Sequence, residues 1–164
     1  MKIGEVGVWV ALAVFALGGV ASAAGPELTE VTDTVEAPGG GQPLGYALSV
    51  PKGAQATAKM MPHIRGYGVD VSGGRISVSL SRLSGGIGDM AGHINYKASV
   101  SGGLAEKKEV EKGSFLAVMQ PMAGIQTVFL FKPLSKSEQI EVECNGPATH
   151  VETLKQACGS FKTR

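Results

Sequence analysis

The amino-acid sequence predicts an α+β domain: an antiparallel sheet with a carboxy-terminal helix packed on it. Three observations carry the expectation. Apolar residues alternate with polar ones in short runs separated by glycine turns, from Tyr46-Ala47-Leu48-Ser49-Val50 to Ile140-Glu141-Val142-Glu143-Cys144. Two further runs, Phe115 to Met119 and Thr127 to Phe131, are apolar without alternation, as strands buried on both faces are. Beyond Pro147 the spacing turns helical, with Val151, Leu154, Cys158 and Phe161 on one stripe.

Residues 1–23 read as a signal peptide. Met1-Lys2 is a short basic start, Val6 to Val20 an apolar run broken by glycines, and Ala21-Ser22-Ala23 an A-x-A cleavage site. The alternative is a retained anchor, since the apolar run is nearly long enough to span a bilayer. Gly18-Gly19, one residue before the small-residue site, favours cleavage, and no cysteine lies nearby to carry a lipid. The expectation is a periplasmic or secreted protein with no stable membrane anchor after cleavage, beginning near Ala24 or Gly25. Removing the segment takes one basic and one acidic residue, Lys2 and Glu5, so the formal charge stays at +1. A near-neutral chain whose only tryptophan, Trp9, leaves with the signal lacks both the charge and the aromatic platforms for nucleic acid. What remains is one domain by size, with no internal repeat.

Residues 24–45 read as a flexible leader, with Pro26, Pro38, Pro43 and the Gly39-Gly40-Gly41 run, and 46–164 as a single α+β domain. Within it the Tyr46 strand stops at Pro51-Lys52-Gly53. Tyr67, Val69 and Val71 share a face, Ser72-Gly73-Gly74 turns the chain, and Ile76, Val78 and Leu80 resume alternation in a hairpin with one wet face. Ser84 to Gly88 is a glycine-rich loop. Ile87, Met90, Ala91, Ile94 and Ala98 then recur at helical spacing, predicting a short helix over Asp89 to Lys97 that ends at Ser101-Gly102-Gly103. Leu104 to Val110 is a charged, solvent-washed strand, and Lys112-Gly113 a turn into the doubly apolar strands, which are followed by a polar turn from Pro133 to Ser137. Asn145-Gly146-Pro147 breaks the last strand, and Thr149 and Glu152 have capping-box spacing for the final helix.

Cys144 and Cys158 sit on the apolar faces of consecutive elements, so docking the helix on the sheet brings the sulfurs together. A structural disulfide is the expectation, because export places the pair in an oxidising compartment and its spacing is not that of a redox motif.

Gly45-Tyr46 leading a strand to Val50-Pro51-Lys52-Gly53, the antiparallel sheet that follows, and a final strand handing over to a carboxy-terminal helix resemble the PsbP-like family, over residues 44–53 and 139–162. The resemblance implies an α-β-α sandwich and a non-catalytic binding role. Ala54 stands where a tryptophan is common in that family.

Motifs for chemistry are sparse. Gly86-x-Gly88-x-x-Ala91 lacks the doubly buried parallel strand of a dinucleotide site, and Ser49-x-x-Lys52 ends a strand instead of opening a helix. His63, His93 and His150 have no zinc-hydrolase spacing, and no G-x-S-x-G elbow occurs. An enzyme is therefore the least supported class, and no catalytic residue or cofactor is expected. One constellation stands out: Met60, Met61 and His63; Met90 and His93; Met119 and Met122. Clustered thioethers and imidazoles suit Cu(I) in an exported protein, whereas the bland reading has methionines filling gaps in a core poor in aromatics. The leading expectation is an exported binding or assembly module for a protein or envelope component, and the alternative a periplasmic copper binder.

Overall fold

The computed structural model describes residues 25–57, 61–84 and 90–164. The signal segment, Met60, the Gly86-x-Gly88 stretch and Asp89 lie outside the described residues. Among the described residues ten strands and two α-helices follow in order: β1 Leu28–Val35, β2 Leu44–Pro51, β3 Gln55–Ala56, β4 Ile64–Val71, β5 Gly74–Ser84, α1 Met90–Val100, β6 Leu104–Glu111, β7 Ser114–Met119, β8 Ile125–Pro133, β9 Glu138–Pro147, α2 Val151–Gly159 and β10 Lys162–Thr163. The fold is α+β. Seven strands form an antiparallel sheet in the order β3-β4-β5-β9-β8-β7-β6, and β1-β2-β10 make a smaller antiparallel sheet.

Alternation along the strands decides which layer each residue enters. Ile76, Val78 and Leu80 of β5, Val128 and Leu130 of β8, and Ile140, Val142 and Cys144 of β9 share one face, where Tyr46, Leu48 and Val50 of β2 and Leu154, Ala157 and Cys158 of α2 bury them in the main core. The opposite face of β7 and β8 carries Ala117, Met119, Phe129 and Phe131, covered by Ile94 and Ala98 of α1. The two strands read as buried on both faces are the ones with a helix on each side. The edge strand β6 is exposed along its whole length, and its run of Glu106, Lys107, Lys108 and Glu109 guards an unpaired edge against association.

Turns fall where glycine permits a left-handed backbone. Gly73 has φ +89° in the tight turn from β4 to β5, where Val71 pairs with Gly74. The end of α1 closes through Gly102 at φ +87°, with the Gly103 N–H donating to the Ala98 carbonyl at 2.8 Å in the long bond of a Schellman cap. The helix starts within the expected segment and runs three residues past Lys97, to Val100.

Four expectations are corrected. The leader proposed for 24–45 contains an ordered strand: β1 pairs with β2 from Leu28↔Pro51 to Val35↔Leu44, and Val35 is fully buried. Proline and glycine dominate the composition of that stretch but are concentrated in the β1–β2 connection, while Val31, Thr32, Thr34 and Val35 are β-branched and suit a strand. The break placed at Asn145-Gly146-Pro147 is also absent, because β9 remains paired with β8 through Gly146↔Gln126 and Pro147↔Ile125. The chain then tightens through a 3₁₀ turn at Ala148–His150, so Thr149 lies one residue before the helix cap. His150 occupies the cap position without a side-chain cap bond, and Glu152 pairs instead with Lys155 at 3.2 Å. Phe161 lies beyond the end of α2 and still enters the core, its ring 6.2 Å from that of Tyr46.

Candidate functional site

The β8–β9 turn, the start of β7 and the first residue of α1 enclose a recess of about 240 Å³ lined by Met90, Gly113, Phe115, Pro133, Ser135, Lys136, Glu138 and Gln139. Met90, Phe115 and Pro133 supply apolar wall. Gln139 belongs to β9, faces the α1 side with Glu141, and is 2 % exposed. Among the described residues neither its amide nitrogen nor its amide oxygen has a hydrogen-bond partner. A buried primary amide offers two N–H donors and an acceptor, and leaving them unpaired is costly. Glu138 is held by Arg82 at 2.9 Å, and the Ser135 hydroxyl accepts from the Ser137 and Glu138 N–H groups, so the turn forming one wall is internally tied.

Directly beside the recess, two residues along β9, lies a charge cluster. The Glu141 carboxylate, 7 % exposed, is 3.0 Å from His93 Nε2 and accepts a 2.7 Å hydrogen bond from Lys97 Nζ. Both donors come from α1. The His93 ring stands edge-on to Phe131 at 5.3 Å, and Lys97 Nζ lies 5.1 Å above the Phe129 ring. Met90, His93 and Lys97, at i, i+3 and i+7, thus form one helical face pressed against the sheet. With only Ile94 and Ala98 of α1 buried, the cluster supplies much of what holds the helix, and so the recess wall, in place.

A second polar cluster fastens the smaller sheet. The Tyr46 and Tyr67 hydroxyls are 2.8 Å apart inside the protein, and burial, reinforced by that bond, holds the Tyr46 phenol well above its usual range. Arg65, 7 % exposed, lies 3.3 Å from Asp33 of β1 and donates through Nη1 to the Pro62 and Ile64 carbonyls, each at 2.9 Å.

Cys144 and Cys158 are bonded, with Cα atoms 6.0 Å apart, and both are fully buried. The soft donors are spread over several places. Met90 and fully buried Met119 join the apolar cluster under α1, with His93 beside them on Phe131. Met61 is half-exposed and His63 partly buried in the connection into β4. Met122, also half-exposed, packs over Gly102. Among the described residues no group of three or more His, Cys, Asp or Glu is placed to hold a metal ion.

Gln139 and Glu141 were legible in the sequence only as the polar half of an alternating strand. A usable signal was present: β8, their neighbour, is apolar on both faces, so a helix must lie over that side and polar residues of the next strand must come under it. No family model matches the chain. No curated protein matches it either.

Proposed function

We propose that this chain is an exported, non-catalytic binding module of PsbP-like architecture, and that its ligand or partner seats in the recess at Gln139. The observation that carries the reading is a half-apolar recess whose wall includes Gln139, a buried residue with both amide atoms unpaired among the described residues. A fold retains such a group at a cost to stability, and functional sites are where that cost recurs. The nearest imidazole, His93, is committed to Glu141 and to the packing of α1, which supports binding rather than proton transfer. The disulfide supports export, because such bonds persist in oxidising compartments.

The test is a small-fragment screen against the ¹⁵N-labelled, disulfide-bonded protein. The reading expects saturable shifts confined to Met90, Gly113, Phe115 and the Gln139 side chain. Hits that leave these signals unmoved and cluster elsewhere overturn it.

A further inference from the structure

We infer that strand β1 pairs edge to edge with β1 of a second copy of this chain, antiparallel across a two-fold axis at Val31, joining the two smaller sheets into one. No residue of β1 lines the recess, so the two readings stand or fall separately.

The hydrogen-bond phase of β1 decides what its outer edge offers. The Lys52 N–H donates to the Glu27 carbonyl at 2.7 Å, just before the β1–β2 ladder begins at Leu28↔Pro51. The odd-numbered residues of β1 therefore turn their main-chain groups to β2, and the even-numbered ones turn theirs outward. Glu36 keeps the same alternation, its N–H reaching outward to the Pro62 carbonyl at 3.1 Å. The Thr34 N–H is taken by Asp33 Oδ1 at 2.7 Å. Glu30 and Thr32, both exposed, are left with N–H and C=O at the open edge and no main-chain partner among the described residues.

An antiparallel axis at Val31 sets Glu30 opposite Thr32 of the second copy, so each free N–H meets a free C=O. Val31 then faces its own counterpart as a non-hydrogen-bonded pair, with the side chains close, and Thr29 faces Asp33. No like charges meet. An axis at Thr32 would need the Thr34 N–H that Asp33 already holds, and an axis at Asp33 would set Asp33 against itself and Glu30 against Glu36. The acidic groups of β1 do not call for a cationic partner, because Arg164 holds Glu30 at 3.0 Å and Arg65 lies 3.3 Å from Asp33. The edge strand β6 is charged and broken by two register shifts, whereas β1 pairs with β2 without interruption over 8 residues. The joined sheet ends on either side at β10, only 2 residues long, so growth stops at two copies.

The experiment follows sedimentation of the folded, disulfide-bonded protein up to millimolar concentration. A reversible dimer is expected, with concentration-dependent protection of the Glu30 and Thr32 amides against exchange. Thr32→Pro deletes an outward N–H while leaving the β1–β2 bonds in place, and should weaken association at least ten-fold. Glu30→Pro makes the equivalent deletion should the first variant not fold. Val31→Cys should cross-link the two copies under a mild thiol oxidant, since the Cα atoms of such a facing pair lie about 4.5 Å apart, within disulfide reach. Thr29→Cys, on the same face, should not, because its counterpart is displaced along the strand by about 14 Å. A monomer at every concentration overturns the inference and leaves the edge to a strand of another protein. A dimer that the folded proline variants leave intact, or equal cross-linking through Thr29→Cys and Val31→Cys, overturns the assignment to β1 in this register.

Discussion

Replacing Gln139 with leucine should make the protein more stable. The side chain is 2 % exposed and neither amide atom has a partner, so folding removes both from water with no compensating bond. An unsatisfied buried polar group costs about 1–3 kcal/mol, and leucine removes both groups while keeping a similar volume. Opposing this is the change in shape, which for a near-isosteric exchange usually stays below about 1.5 kcal/mol. With two such groups relieved and about 1.5 kcal/mol lost to shape, the balance favours the variant by roughly 0.5–4.5 kcal/mol. For a domain of this size each kcal/mol moves the midpoint by roughly 3–5 °C, so the melting temperature should rise by several degrees. Urea unfolding of the disulfide-bonded protein reads the free energy directly, and an unchanged m value would show that the folded state is otherwise the same. Gln139→Glu is the companion: a carboxylate in the same place would be buried, and the variant should lose several kcal/mol or bind a proton to avoid doing so. If Gln139→Leu is instead less stable than the parent by more than about 1 kcal/mol, the amide is doing structural work, and the argument that it is held in reserve for a ligand collapses.

Four further outcomes are expected. Removing the disulfide as Cys144→Ala with Cys158→Ala should cost about 3 kcal/mol from loop closure over the 14-residue separation, and an unchanged urea midpoint would contradict this. Glu141→Ala should lower stability by about 1–3 kcal/mol, less than the roughly 3–5 kcal/mol for breaking a fully buried pair because His93 and Lys97 are partly exposed and regain water; faster amide exchange confined to α1 is the accompanying sign, and uniform protection would contradict the latching role. Lys155 joins α2 to the edge strand β6 through Glu106 at 2.8 Å, which lowers the Glu106 pKa and raises that of Lys155. A lowered carboxylate pKa contributes stability above its unfolded value and loses it as pH falls through the folded value, so the small deficit of Lys155→Met should shrink on acidification below the ordinary glutamate range; a deficit constant with pH would contradict the pairing. Cu(I) titrated against a competing chelator should show no tight one-to-one site, because Met90 and Met119 are packed in the apolar layer under α1, where His93 is engaged by Glu141, while Met61, His63 and Met122 lie elsewhere; tight binding lost in Met61→Ala with His63→Ala would reverse that conclusion.

The elements most legible in the sequence were those whose pattern is local. The Ser72-Gly73 turn, the doubly apolar β7 and β8, the charged β6 and the two cysteines on facing apolar stripes each follow from side chains a few residues apart. The elements misread depend on partners distant in sequence. β1 is held by β2, by the Asp33–Arg65 pair and by the burial of Val35 against residues from several other strands, none of which marks 28–35 in isolation. The start of α2 turns on whether Pro147 can remain paired to β8, and the capping signal at Thr149 is overridden because pairing carries the strand to the proline and leaves a single 3₁₀ turn before the helix. Gln139 was hidden for the same reason in a sharper form. In an alternating strand a polar residue is assigned to water by default, yet this one lies on the face that α1 serves, at the end where Met90 is the first helical residue and the recess opens. Helix α1 is fixed there by Glu141, which engages His93 and Lys97 from the same strand and the same face as Gln139. One polar residue of β9 therefore spends its charge placing the helix, and the next one along that face is left with its hydrogen-bonding capacity unspent inside the wall the helix completes. On the proposed reading, that division of labour between Glu141 and Gln139 is what gives the packed α+β domain a site.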